Sequence, residues 1–262
     1  MNRAMAAIVQ KDFKGVAANK RLFPSLLIVP LVLAVLFPAG FVALLFLLPE
    51  ELGELEQLLA LMPQTELAGG VERTMAALLL NHIMPVFFLI IPIMASSVMA
   101  ASAFVGEKEK HTLETLLYCP LSLPQIFRAK VLAAFFLSML VSLLSFGAML
   151  AVVEMELYCF TGSFMAPGVS WPVILLLVAP AVSLIAVTLI VRGSARAQSV
   201  EESQQGAVFL ILPLVLLVAG QFTGLLLISA WLLLGLGLVC ALVAWLLLKR
   251  ALGRFRYEAL LK

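Results

Sequence analysis

The chain has little charge: Asp, Glu, Lys and Arg make up 12% of its 262 residues, whereas hydrophobic residues make up 63%. Soluble domains carry about 25% charged residues, so this composition excludes an ordinary soluble domain and indicates a membrane protein. Cysteine is also scarce. Cys119, Cys159 and Cys240 are isolated from one another, and their spacing fits neither a metal site nor an even disulfide framework.

The sequence also lacks the common motifs for nucleotide hydrolysis, zinc proteolysis and serine hydrolysis. It has no GxxxxGK[ST] phosphate loop, no HExxH and no GxSxG. Its two histidines, His82 and His111, are predicted at opposite membrane faces, which makes a two-histidine metal site implausible. We expect no catalytic residues, no metal, no cofactor and no nucleic-acid partner, with any ATP hydrolysis carried out by another subunit.

Ionisable side chains are scarce within the apolar runs, where burying them is costly and usually serves catalysis or proton transfer. We expect His82, near an outer end, to be the only one, which argues against an intramembrane enzyme and a proton-driven transporter. His82 and Asn81, with Glu154 or Glu156 on the same side, are a candidate site for a cation or a substrate head group. An interfacial histidine with ordinary hydrogen bonds is the commoner arrangement.

Long apolar runs are abundant, and their lengths predict six membrane-spanning helices. A bilayer core about 30 Å thick needs roughly 20 residues of helix. Residues 203–248 form a run of 46 residues without a charge, too long for one crossing, and residues 220–224 are the natural turn within it. The fold class is therefore all-α, with a transmembrane domain over residues 22–250. The spans are predicted at about residues 22–48, 75–105, 125–153, 171–191, 203–220 and 225–248.

Both ends of the chain are basic, and the charge distribution predicts the topology. Residues 1–21 predict an amphipathic interfacial helix, and residues 251–262 a basic cytoplasmic tail. The apolar stripe of the first helix has one flaw, Asp12, and consists otherwise of Met1, Met5, Ile8, Val9 and Val16. With both termini in the cytoplasm, all but Arg73 of the 17 Lys and Arg residues lie inside. We expect a multi-pass protein of the plasma (cytoplasmic) membrane.

The longest charged interruption between two spans covers residues 106–130. After alternating charges, Leu113, Leu116 and Leu117 repeat at helical spacing and predict a short cytoplasmic helix with one apolar face. Pro120 and Pro124 bracket the end of this helix, because proline cannot continue a helix without losing a backbone donor.

Two capping boxes predict where helices begin. Ser122 and Gln125 form an S-x-x-Q box at the start of the third span. Ser199 and Glu202 form an S-x-x-E box at the start of the fifth.

The stretch 106–130 resembles the first cytoplasmic loop of type-2 ABC exporter permeases. That loop has an acidic–basic–Glu run, then Thr-Leu-Glu, a leucine pair, a proline, and a lysine that opens the next span. The matching residues here are Glu107, Lys108, Glu109, Thr112, Leu113, Glu114, Leu116, Leu117, Pro120 and Lys130. His111 departs from the glycine that the family commonly has before the threonine.

In that family the loop is a coupling helix docked on a separate ATPase, so the resemblance implies that the loop 106–124 couples to such a partner. The implied coupling residues are Glu107, Lys110, Thr112, Leu113, Glu114, Leu116, Leu117 and Pro120. No substrate-binding residue is identified. A solvated charged loop without a partner is the competing interpretation.

The function implied by the resemblance is the transmembrane permease subunit of an ATP-driven ABC exporter. Its expected partners are an ABC ATPase subunit, a second permease copy or paralogue, and membrane lipids, in an assembly of two permeases and two ATPases. One alternative is an ABC-like permease that acts in signalling or complex assembly without moving a solute. Another is an unrelated channel or membrane enzyme.

Overall fold

The computed structural model describes residues 3–19, 22–47, 71–109, 121–194, 197, 199–222 and 229–254. Over these ranges the chain is almost entirely helical and contains no strand. The α-helices are α1 (Arg3–Ala18), α2 (Leu22–Leu47), α3 (Val71–Leu78), α4 (Met84–Phe88), α5 (Ile90–Glu109), α6 (Leu123–Thr161), α7 (Ser170–Val173), α8 (Ala179–Ser194), α9 (Val200–Gln204), α10 (Val208–Phe222) and α11 (Ala230–Arg254). Shorter helical turns join several of them: a π-helical turn at Leu79–Ile83, another at Ile174–Val178, and a 3₁₀ turn at Gln205–Ala207.

Within the described ranges, six helical segments are long and apolar enough to cross a membrane, which confirms the predicted all-α fold with six spans. In chain order, spans 1 to 6 are Leu26–Leu47, Arg73–Glu109, Pro124–Thr161, Ser170–Ser194, Val200–Gln221 and Ala230–Ala251. Helix α1 forms within the predicted residues 1–21, while its place in the membrane interface stays a prediction. The predicted coupling helix over residues 112–118 lies outside the described residues.

Several span ends differ from the predicted ones. Helix α6 continues to Thr161, beyond the predicted end at residue 153, and stops where Gly162 adopts a left-handed conformation with φ 69°. A left-handed residue after the last turn is a common helix terminator, and glycine adopts it without steric cost. Helix α5 runs through Glu109, so the first charged residues after the predicted span 75–105 are helical. At the far end, α10 runs to Phe222 and α11 begins at Ala230, later than the predicted turn at 220–224.

Span 2 is the centre of the bundle. Within its most apolar window 83% of the residues are buried, against 17% for spans 5 and 6. Span 2 packs on spans 1, 3, 4 and 5, while span 6 packs chiefly on span 4 and α1 lies against α6. Span 2 is therefore the most enclosed helix of the bundle and the one that contacts most of the other spans.

Proline interrupts spans 2 and 4 at matching places. Each π-helical turn comes just before a proline, Pro85 in one case and Pro180 in the other. Proline has no backbone N–H, so the carbonyl groups one turn earlier lose their helical donor and the helix adjusts locally. The prediction that span 2 is not a straight, uniform helix agrees with this interruption.

Spans 3 and 4 approach closely through serine. The serine stripe of span 3, Ser138, Ser142 and Ser145, is buried, and Ser138 Oγ lies 2.9 Å from Ser183 Oγ of span 4. Small residues let helix backbones approach in lipid, where no hydrophobic force drives helices together. Close packing, rather than a polar path, therefore accounts for Ser138.

Candidate functional site

A buried ionic cluster joins three helices at the end of the bundle beside residues 110–120. Glu107, in the last turn of α5, accepts from Lys130 of α6 at 2.6 Å and from Lys11 of α1 at 2.8 Å. The two lysines bind different oxygens of the carboxylate, Oε2 and Oε1 respectively. We call these three residues the Glu107 cluster.

Lys130 is the most buried member of the Glu107 cluster, with 2% of its side chain exposed. Its ammonium group also donates to the carbonyl of Ala103 and lies 5.3 Å from the centre of the Phe104 ring. The expectation that His82 alone is ionisable within the spans is wrong, because Lys130 lies inside span 3. A buried charge is tolerated only when it is paired and hydrogen-bonded, and Lys130 is both.

The same last turn of α5 also contacts the start of span 5. Glu109 Oε1 accepts the backbone N–H of Val200 at 3.1 Å, and Lys108 Nζ donates to the carbonyl of Ala197 at 3.4 Å. An acidic group at a helix N-terminus satisfies one of the backbone donors that the helix leaves unpaired. One helical turn therefore ties together α1, span 3 and the start of span 5.

A helix begins at each of the two predicted capping boxes, which flank this region. The Ser122 N–H donates to Gln125 Oε1 at 3.0 Å, and the Glu202 N–H donates to Ser199 Oγ at 3.1 Å. Span 3 and span 5 consequently begin at defined residues, and the start of span 3 comes just after residues 110–120.

A cavity of about 260 Å³ opens between α1 and the end of span 2, next to the Glu107 cluster. Its polar lining residues are Lys11, Asp12, Asn19, Ser102 and Glu107. Burial raises the pKa of Asp12; Lys130 opposes that rise most strongly, Glu107 adds to it, and Lys11 also opposes it. The Oδ2 atom of Asp12 is buried and has no hydrogen-bond partner among the described residues.

A second polar layer lies at the opposite end of the bundle, around the π-helical turn of span 2. Trp171 Nε1 donates to the carbonyl of Leu80 at 2.9 Å. The π-helical partner of this carbonyl would be the nitrogen of Pro85, which carries no hydrogen, so the indole supplies the missing donor. Gln221 Nε2 likewise donates to the carbonyl of His82 at 3.0 Å.

At the candidate outer site, Asn81 and Glu154 bind backbone N–H groups of the connection between spans 3 and 4, whereas Glu156 Oε2 and Glu154 Oε1 are buried without a hydrogen-bond partner among the described residues. Asn81 Oδ1 accepts the Gly168 N–H at 2.7 Å, and Glu154 Oε2 accepts the Met165 N–H at 3.0 Å. Among the described residues no group of three or more His, Cys, Asp or Glu side chains is placed to hold a metal ion. These contacts anchor the connection between spans 3 and 4.

Gly168 is expected to be intolerant of a side chain. A Cβ atom there would lie 2.9 Å from Asn81 Oδ1 and 3.1 Å from Asn81 Cγ, so Gly168→Ala must displace the amide that holds the loop. Overpacking of this kind costs about 1–3 kcal/mol, and we expect that loss in the free energy of unfolding in mixed micelles. Gly147→Ala is the matched control, because a Cβ there meets nothing within 4 Å. Equal stability of the two variants would contradict the Asn81–Gly168 contact.

Of the predicted coupling residues, the structure describes Glu107 and places it in the Glu107 cluster. The others, Lys110, Thr112, Leu113, Glu114, Leu116, Leu117 and Pro120, lie outside the described residues, and their coupling role stays a prediction. Sequence reasoning missed Lys11 and Asp12 as partners of this region. Two sequence features could have revealed these partners: the one acidic residue in the apolar stripe of α1, and a lysine inside span 3.

The fold and its charged end define a multi-pass α-helical membrane protein with a polar junction at one end. A family model described as ABC-2 family transporter protein matches residues 73–233, which is more than half of the chain. The chain therefore belongs to this family, as the resemblance to type-2 ABC permeases indicates, and is a membrane permease component of an ABC transporter. Membership implies pairing with an ABC ATPase component. Searches of curated proteins and of solved structures gave no match.

Proposed function

We propose that this chain is the permease subunit of an ATP-driven exporter and is coupled to a separate ATPase through residues 106–124. Two permeases, identical or related, would stand on two ATPases in the plasma membrane, with the Glu107 end of the bundle in the cytoplasm. ATP would be bound and hydrolysed by the ATPase alone. Its closure would press on the coupling segments and open a path between the permeases toward the outside.

The observation that carries this proposal is the way both flanks of residues 110–120 are held. On one side Glu107, Lys108 and Glu109 join span 2 to three other elements. On the other side Leu121 packs against a small apolar cluster that contains Ile8 of α1 and Ile126 of span 3. A force applied to residues 110–120 would reach the bundle through both flanks. A loop without such contacts at its ends would not transmit the force.

The charge distribution supports a cytoplasmic location of this end. Lys108, Arg128, Lys130 and Arg192 lie near it, at the ends or beginnings of spans 2, 3 and 4. The connection between spans 3 and 4, residues 162–169, carries no Lys or Arg. Lysine and arginine gather on the cytoplasmic side of membrane proteins.

The assembly is tested by purification from a host that also expresses a candidate ABC ATPase partner. We expect the two proteins to purify together in equal copy number, two of each, because the permease sequence contains no GxxxxGK[ST] phosphate loop. The complex, and not the permease alone, should hydrolyse ATP and transport. A monomeric permease with full transport activity contradicts the proposal.

The orientation is tested by labelling single cysteines, introduced into a cysteine-free parent, with a membrane-impermeant reagent. A cysteine at Glu56 or Ser163 is expected to react in intact cells, whereas one at Gly193 or Arg254 should react only after the membrane is opened. The reason is that residues 162–169 and the end of α11 fall on opposite faces when six spans are counted. Labelling of the Arg254 position from outside would overturn the cytoplasmic termini.

A further inference from the structure

The cavity beside the Glu107 cluster has no part in the coupling proposed above, yet it is a built polar site. Its volume of about 260 Å³ equals the liquid volume of roughly nine water molecules. A site for one or two ordered waters would be several times smaller. The cavity therefore has room for a ligand of about ten non-hydrogen atoms.

One acceptor residue that lines the cavity, Asp12, is left partly unsatisfied by the described residues. Both oxygens of Glu107 receive lysine donors, at 2.8 and 2.6 Å, but Oδ2 of Asp12 is buried without a partner among the described residues. Buried polar atoms in native proteins are nearly always hydrogen-bonded, because an unmade bond costs free energy. The Asp12 side chain also lines the cavity, and a cationic donor there would bind its carboxylate most strongly.

The residues that line the cavity favour a primary ammonium group over a quaternary one. A quaternary ammonium group has no N–H and is recognised by aromatic cages. The lining residues are Lys11, Asp12, Gly15, Val16, Asn19, Met99, Ser102, Ala103, Gly106 and Glu107, and none of them is aromatic. A primary ammonium, with three N–H donors, matches the Asp12 carboxylate instead.

The other side of the cavity offers a cation to the ligand. The Lys11 side chain lines the cavity and is 58% exposed. Formal charges of Lys11, Asp12, Glu107 and Lys130 cancel. A ligand with both an ammonium and an anionic group keeps that balance, whereas a purely anionic ligand would face two carboxylates.

The position of the cavity identifies where such a ligand comes from. The cavity lies between α1 and the last three turns of span 2, at the level where the span leaves the apolar core. This is the depth of lipid headgroups. An ammonium two carbons from a phosphate is the headgroup of phosphatidylethanolamine.

We propose that this cavity is a binding site for the phosphatidylethanolamine headgroup, with the ammonium on Asp12 and the phosphate beside Lys11. The bound lipid would fill the space between α1 and span 2 and hold α1 against the Glu107 cluster. This inference does not depend on the direction of transport or on an ATPase, because it uses only contacts within the bundle.

The test measures lipid retention by the purified full-length permease. The protein is reconstituted in nanodiscs of phosphatidylcholine with an increasing share of phosphatidylethanolamine, and bound lipid is counted by native mass spectrometry after release. We expect selective retention of one phosphatidylethanolamine per chain. Phosphatidylglycerol discs and soluble glycerophosphoethanolamine separate the headgroup chemistry from anionic lipid and from a free amine.

Two variants of different kinds make the result specific to the cavity. Asp12→Asn removes the charge that binds the ammonium, and we expect about a tenfold loss of affinity for phosphatidylethanolamine. Gly15→Leu retains every charge and adds bulk at a lining position where a Cβ meets nothing within 4 Å, so it should also abolish retention. Leucine favours helix more than glycine does, so this variant is expected to fold. Lys14→Gln is the control, because Lys14 is an exposed basic residue of α1 that does not line the cavity.

The outcomes separate clearly. Selective retention that is lost in Asp12→Asn and Gly15→Leu and kept in Lys14→Gln supports the site. Equal retention of phosphatidylcholine or phosphatidylglycerol, displacement of the lipid by the soluble amine at low concentration, or retention unchanged in Gly15→Leu overturns it. If no lipid is retained by the parent protein, the cavity holds only water and the proposal fails.

Discussion

Replacing Lys130 with methionine is expected to lower the free energy of unfolding by about 3–5 kcal/mol. Methionine fits the apolar stem of lysine but removes the ammonium group that binds Glu107 Oε2 at 2.6 Å. Glu107, whose side chain is 11% exposed, is then left with Lys11, whose own side chain is 58% exposed. Removing one partner of a buried ion pair is costly because the remaining charge stays desolvated. The measurement is SDS titration of the purified protein in mixed micelles.

Two further variants distinguish the ion pair from a general effect of losing a lysine. Arg128→Met removes an exposed cation of the same span, two residues earlier, and should change stability by no more than about 0.5 kcal/mol. The double variant Glu107→Gln/Lys130→Met removes both charges and should be more stable than Lys130→Met alone, since directly contacting residues are not additive. If Lys130→Met behaves like Arg128→Met, the Glu107 cluster does not stabilise the bundle.

Leu117→Asp is expected to abolish coupling to the ATPase while leaving the permease inserted. If the predicted helix over residues 112–118 docks with its leucine face, each buried leucine contributes roughly 1.5–3 kcal/mol. A carboxylate in the same place adds a desolvation cost on top of that loss. The measurements are a pull-down of the ATPase and substrate-dependent ATP hydrolysis by the reconstituted complex.

The matched control is Leu117→Met, a volume-conserving change that should retain the partner and most of the activity. Glu114→Ala should be mild if its partner is exposed, because surface ion pairs contribute about 0–1 kcal/mol, and severe if the pair is buried. A Leu117→Asp variant that inserts, keeps the ATPase and hydrolyses ATP like the parent would show that this segment is not the coupling element. In that case the chain would still belong to the permease family, but the proposal that coupling passes through this segment would be wrong.

The Glu107 cluster also bears on how the coupling segment would act. The resemblance assigns Glu107 to the surface that meets the ATPase, yet its carboxylate is turned into the bundle and held by two lysines. Its contribution to coupling would then be to transmit movement from residues 110–120 to α1 and span 3. The Lys130→Met variant tests this transmission when its stimulation of the ATPase is assayed at a temperature where the variant remains folded.

The number of spans, the starts of helices and the proline interruptions could be predicted from the sequence, because each has a local cause. Six spans follow from the lengths of the apolar runs, because the bilayer thickness requires about 20 residues of helix. The starts at Ser122 and Ser199 follow from capping boxes, because a cap satisfies backbone donors within four residues of itself. The interruptions near Pro85 and Pro180 follow from the missing proline N–H, again a local cause.

Only the tertiary structure decided which distant residues meet. Lys11 and Glu107 are 96 positions apart, and Asn81 and Gly168 are 87 apart, and no periodicity in the sequence pairs them. Lys130 was readable as the residue that opens span 3, but whether it faced water or Glu107 depended on how span 3 packs on span 2. Likewise, the sequence shows Asp12 only as a flaw in an apolar stripe. The packing of α1 against the bundle shows that its side chain lines a cavity. The local pattern determines each helix and its ends, whereas the pairing of charges depends on side-chain packing between helices, which short sequence windows do not contain.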